Sequence, residues 1–145
     1  MEYGEFIKQV QDRAELASAE AAAAAVRATL GTLGEMLSPK ERRDLAAELP
    51  KELKDALTIW MERPAREKSR PHRFELEEFY HRVAARSDVR YPAAIKHSQA
   101  VMQTLQQAVS QGEITDAIRE LPDGYEELLT GRPKGPLSPS IVEKA

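Results

Sequence analysis

Apolar residues along this chain recur with the 3.6-residue period of a helix, and no stretch alternates strictly as a half-buried strand would. Tyr3, Phe6 and Val10 form an opening stripe, with Phe6 and Val10 four residues apart. Ser18 is a good N-cap, and Ala22, Val26, Leu30, Leu33 and Leu37 then line one face of a long second helix. Ala21 to Ala25 add helix propensity with little bulk, which lets a neighbouring helix come close. Ser38-Pro39-Lys40-Glu41 reads as a stop and a restart. Ser38 caps, Pro39 fits the first helical position, and Glu41 completes a capping box. The third helix, from about Pro39 to Leu49, turns Leu45 and Leu49 inward. Pro50 breaks it and starts a fourth, with Leu53, Leu57 and Trp60 at i, i+4 and i+7.

The same order then returns. Phe6, Val10 and Arg13 recur as Phe79, Val83 and Arg86 at an offset of 73. Thr32-Leu33, Glu41, Asp44 and Glu48-Leu49-Pro50 recur as Thr104-Leu105, Glu113, Asp116 and Glu120-Leu121-Pro122 at an offset of 72. Pro92 starts the second long helix, which aligns Ile95, Val101 or Met102, Leu105 and Val109; Ser110-Gln111-Gly112-Glu113 is again a capping box, and Tyr125, Leu128 and Leu129 end the unit. A repeat of this kind decides architecture before any single residue does. The predicted fold is all-α, two pseudo-symmetric four-helix repeats packed as one helical domain. Residues 1–60 are the first repeat, 61–74 a basic Pro-containing linker, 75–130 the second repeat, and 131–145 an extended or disordered Pro/Gly/Ser tail.

An opening Phe-x-x-x-Val, a long Ala-rich helix ending near Thr-Leu, and a Leu-Pro break together resemble the bacterial family known as domain of unknown function 2267. Its members carry this unit in tandem, as Phe6, Val10 and Leu49-Pro50 and then Phe79, Val83 and Leu121-Pro122 do here. The resemblance covers about residues 2–60 and 74–130. It implies a soluble all-helical bacterial protein and brings no activity or catalytic residue with it.

Composition narrows the function classes. The 145 residues suit one domain, 41% apolar and 31% charged, and no window approaches the ~18 consecutive apolar residues of a membrane span. The acidic start, Met1 to Glu5, lacks the basic and apolar segments of a secretory signal. The absence of cysteine excludes disulfides, thiol catalysis and thiolate metal sites, and the expected location is the cytoplasm. Charge is segregated. Residues 1–60 hold 8 basic and 11 acidic side chains, 61–74 hold 5 and 2, 75–130 hold 5 and 10, and 131–145 hold 3 and 1. Acidic repeats bind polyanions poorly, because binding to phosphate backbones depends on Lys and Arg displacing counterions.

Candidate chemistry is sparse. Glu78 and His81 have the Glu-x-x-His spacing of helical di-iron sites, which need two such motifs and two further Glu. The first repeat offers Glu5 but has Lys8 where the second has His81, and His97 is matched by Ala25, so a solvated helix face is the simpler reading. No serine sits in a nucleophile elbow, and Gly31 and Gly34 fall within a helix rather than in a phosphate-cradling loop. Arg66, Lys68, Arg70 and Arg73 of the linker are candidate partner contacts. Without interleaved aromatics, nucleic acid ranks below a protein partner. Leu137, Ile141 and Val142 of the tail form a second candidate, riding on a Pro-restricted strip. Trp60 and the methionines read as packing. The expectation is a non-enzymatic interaction or adaptor protein without a cofactor, with a homo-oligomer among its compatible states. The alternatives are a carrier of a small apolar ligand between the repeats and weak nucleic-acid association through the linker.

Overall fold

A computed structural model describes residues 1–61 and 73–131, all of whose regular elements are helices. In chain order they are α1 (Tyr3–Ala14), α2 (Ala19–Met36), α3 (Pro39–Ala46), α4 (Lys51–Ala56), α5 (Leu76–Ser87), α6 (Tyr91–Ala108), α7 (Gln111–Arg119) and α8 (Glu126–Thr130). The linker expectations for residues 62–72, which include Arg66, Lys68 and Arg70, lie outside the described residues. So do the tail expectations for residues 132–145, which include Leu137, Ile141 and Val142.

The opening stripes are buried as their spacing requires: Phe6, Val10, Phe79 and Val83 are each 0% exposed. Both helices that carry them end on a left-handed residue, Glu15 at φ 56° and Asp88 at φ 58°. α2 starts where Ser18 Oγ accepts from the Ala21 N–H at 3.0 Å. α3 and α4 are shorter than their periodicity suggests. The Pro39–Leu49 expectation ends at Ala46, and turns cover 47–49 and 57–60, although Leu45, Leu49, Leu53 and Leu57 all point inward as expected. Six- and eight-residue helices propagate too few backbone bonds to hold their last turns without packing.

The long helices α2 and α6 pack on each other, and each also receives the opening helix of the other half: α1 lies on α6, and α5 on α2. Contacts within a half match as well, α1 with α2 and α5 with α6, α2 with α4 and α6 with α8. Two arginines bridge the halves in the same manner. Arg13 donates to Thr104 Oγ1 at 2.8 Å, and Arg86 donates to Thr32 Oγ1 at 2.9 Å. Close approach of α2 to the 57–60 turn depends on glycine. A Cβ at Gly34 would land on the Leu57 carbonyl, and one at Gly31 on the Trp60 ring.

α3 and α7 meet each other, and here the capping boxes depart from expectation. The serine halves form: Ser38 Oγ accepts from Glu41 N–H at 3.2 Å, and Ser110 Oγ from Glu113 N–H at 3.3 Å. The glutamate halves do not. Ser38 donates its N–H to Glu120 at 2.7 Å and its hydroxyl to the other oxygen of the same carboxylate at 2.8 Å. Ser110 does the same with Glu48, at 2.7 and 2.9 Å. A carboxylate from the far half supplies both acceptors in one fork, which a glutamate three residues along its own helix cannot do. Glu41 and Glu113 are thereby released from capping.

Candidate functional site

Ahead of α5 the chain leaves Arg73 and Phe74, reaches the N-cap position at Glu75, and runs the helix's first turn past Glu77 and Glu78. Carboxylates there complement the helix N-terminus, which carries about half a positive charge. One turn later on the same face stands His81, and Tyr91 opens α6 beside it. Phe74, Glu75, Glu77, Glu78, His81 and Tyr91 line an open groove of about 770 Å³.

The floor of this groove is aromatic. The His81 and Tyr91 rings are 4.3 Å apart at a 37° tilt, and Tyr91 meets Tyr80 edge-on at 6.1 Å. Phe74 is held from behind by Tyr125, whose hydroxyl donates to the Phe74 carbonyl at 2.6 Å, and both rings contact Phe79. Burial, with the Glu77 and Glu127 charges, raises the Tyr91 phenol. Tyr80 is raised by burial too; its hydroxyl donates to Glu127 at 3.3 Å and accepts from Gln99 at 3.2 Å, so it serves as a neutral donor beneath the floor.

The rim already shows what chemistry it accepts. Arg82 places its guanidinium 4.2 Å from the Phe74 ring centroid and donates through Nε to Glu78 at 2.8 Å. An aromatic face and a carboxylate thus share one cation at the groove's edge. Glu75 and Glu77 are exposed, and neither forms an ion pair with a described residue.

The sequence candidates fall as follows. Glu78 and His81 share the groove, but Glu78 is engaged by Arg82 and His81 lies on Tyr91. His97 is buried on α6, where burial, then the neighbouring Lys96 charge, lowers its imidazole. Among the described residues no group of three or more His, Asp or Glu is placed to hold a metal ion. Arg73 donates to the Glu120 carbonyl at 2.9 Å, at the junction of the two halves rather than towards solvent alone. Trp60 sits where packing was expected, donating to the Arg27 carbonyl at 3.2 Å with Arg86 5.1 Å from its ring, and Ile59 beside it is 45% exposed.

Sequence reasoning missed the groove. Glu75 and Glu77 resemble ordinary first-turn acids, and Phe74 was assigned to the linker. The available signal was three acids in four residues flanked by Phe74 and Tyr80, a pattern without a counterpart around Phe6.

No helix among the described residues is long and apolar enough to cross a membrane. A family model described as "Uncharacterized conserved protein (DUF2267)" matches residues 3–128, and the chain belongs to that family. A search of the curated proteins returned no match.

Proposed function

We propose that this protein is a non-enzymatic interaction module that presents the α5–α6 groove to a Lys/Arg-rich segment of a partner protein. The observation that carries the reading is the pair of exposed carboxylates, Glu75 and Glu77, which form no ion pair among the described residues, on the rim of an aromatic floor. A cationic side chain placed there gains Coulomb attraction and a ring face together, the combination Arg82 already exploits at 4.2 Å from Phe74. The interaction reading is favoured over a small-ligand carrier for a packing reason. Trp60 fills the approach between Gly31 and Arg86, and the open groove is ringed by charge, whereas a carrier needs an enclosed apolar cavity. An acidic rim likewise favours a basic protein segment over a polyanion.

The test is fluorescence anisotropy of the full chain with a labelled Lys/Arg-rich peptide and with the same peptide carrying Gln at every basic position. Binding of the basic peptide alone is expected, weakening at 0.3 M salt and falling about tenfold or more in Glu75→Lys/Glu77→Lys, since each exposed pair contributes up to ~1 kcal/mol. Affinity unchanged by the double reversal, or equal affinity for the uncharged peptide, overturns the reading.

A further inference from the structure

The α3–α7 contact holds two carboxyls, Glu41 and Glu113, that form no ion pair among the described residues. Glu41 is 6% exposed, and its carboxyl lies within hydrogen-bonding reach of Glu113 on the facing helix. In each residue one oxygen, Oε2, is buried and has no hydrogen-bond partner. The cations nearby are directed elsewhere. Lys40 pairs with Asp44 at 2.8 Å, Arg119 with Asp116 at 3.6 Å, and Arg73 donates to the Glu120 carbonyl. The charged groups that bear on Glu41 are Glu113, Glu120 and Asp116, all acidic, and Glu48 closes the other fork at Ser110. Two ionised carboxylates cannot share a dry contact, whereas one proton turns either into a donor for the other and satisfies both orphaned oxygens.

We propose that Glu41 and Glu113 form a proton-operated latch between the halves: holding one proton it closes α3 on α7, and losing that proton it lets the two helices part while the α1–α2–α5–α6 core stays folded. Neither carboxyl belongs to the apolar core, and at this junction the Ser38–Glu120 and Ser110–Glu48 forks and the Arg73 bond to the Glu120 carbonyl remain as side-chain hydrogen bonds among the described residues. The direction is fixed. Burial, then Glu113, push the Glu41 carboxyl from 4.5 up to about 8. The folded chain therefore binds this proton more tightly than the unfolded one. The latch's contribution is full below pH 4.5 and is lost as pH rises towards 8.

Hydrogen exchange of the intact chain at pH 6 and pH 9, corrected for intrinsic rates, tests this. Amides of α3 and α7 should lose about tenfold or more of their protection relative to α2 and α6 between the two conditions. Glu41→Gln and Glu113→Gln, whose amides donate without titrating, should each remove that selective loss. Carbon-13 titration of the Glu41 carboxyl in the unmodified chain supplies a readout that needs no variant, with a midpoint well above 4.5 expected. Uniform loss of protection across all helices, an unchanged selective loss in both variants, or a carboxyl midpoint near 4.5 overturns the proposal.

Discussion

Replacing Arg86 with methionine preserves much of the side chain's bulk and deletes a guanidinium that donates to Glu35 at 2.6 Å and to Thr32 at 2.9 Å. The Glu35 side chain is 8% exposed, and among the described residues the carboxylate left behind keeps only Arg82, at 3.5 Å. Breaking a buried pair from one side costs roughly 3–5 kcal/mol, because the remaining charge stays desolvated. Arg13 provides an internal control. It makes the corresponding bond to Thr104 at 2.8 Å, but the position 72 residues after Glu35 is the exposed, uncharged Gln107. Arg13→Met therefore loses about 1.5 kcal/mol for one charge-assisted bond, and Thr104 keeps its own donation to the Ala100 carbonyl at 2.8 Å. The expected gap between the two variants is about 2 kcal/mol, or about 6 °C in Tm for a chain of this size. Urea unfolding at pH 7 measures it. Because Arg86 also lies over Trp60, worth up to ~1 kcal/mol, the cycle of Glu35→Gln, Arg86→Met and the double variant isolates the ion pair, with an expected coupling of about 1.5 kcal/mol or more. Losses for Arg86→Met and Arg13→Met equal within about 0.5 kcal/mol, or an additive cycle, would refute the reasoning.

Two further expectations concern the backbone. Gly34→Ala gains up to ~1 kcal/mol of helix propensity but drives a Cβ into the Leu57 carbonyl, which no side-chain motion relieves, so a net loss above about 2 kcal/mol is expected in urea unfolding. Unchanged or improved stability would mean that the 57–60 turn yields easily. Asp88 holds a left-handed φ of 58° at the end of α5, and Asp88→Gly should stabilise by about 0.5–1 kcal/mol, read as a higher urea midpoint at constant m. A lower midpoint would show that the aspartate contributes more than its backbone costs.

What could be read from the chain alone was whatever depends on near neighbours. Phe6 and Val10, like Phe79 and Val83, declare a buried face because four residues make one turn. Ser18, Ser38 and Ser110 declare caps because the N–H they accept from lies three residues on. Glu41 shows where that logic stops. The local rule assigns its carboxylate to the Ser38 N–H, but Glu120, 82 residues away, outcompetes it by engaging N–H and hydroxyl together. Nothing within a few residues of Ser38 records that competitor. Glu78 and His81 repeat the lesson. Their spacing was visible, whereas Arg82's claim on Glu78 and Tyr91's on His81 depend on how α5 meets α6 and Phe74. The fourth-helix boundary failed for a different reason, since a six-residue α4 draws its stability from Leu53 and Leu57 in the core rather than from its own turns.

The contacts between corresponding residues carry one more consequence. Where a residue of one half touches residues other than its counterpart, the two halves can differ, and they do: Arg86 meets the buried charge of Glu35, while the position 72 residues after Glu35 is the uncharged Gln107. Where a residue touches its own counterpart, it meets its own chemistry. Glu41 meets Glu113, so an acid faces an acid. The N-terminal turns of α3 and α7 favour ionised carboxylates by only about 0.3–1 kcal/mol each, less than the cost of holding two like charges in a buried contact. The arrangement therefore has two stable resolutions, substitution of one partner or retention of a proton. This chain has both glutamates, and the proton is what allows α3 and α7 to touch.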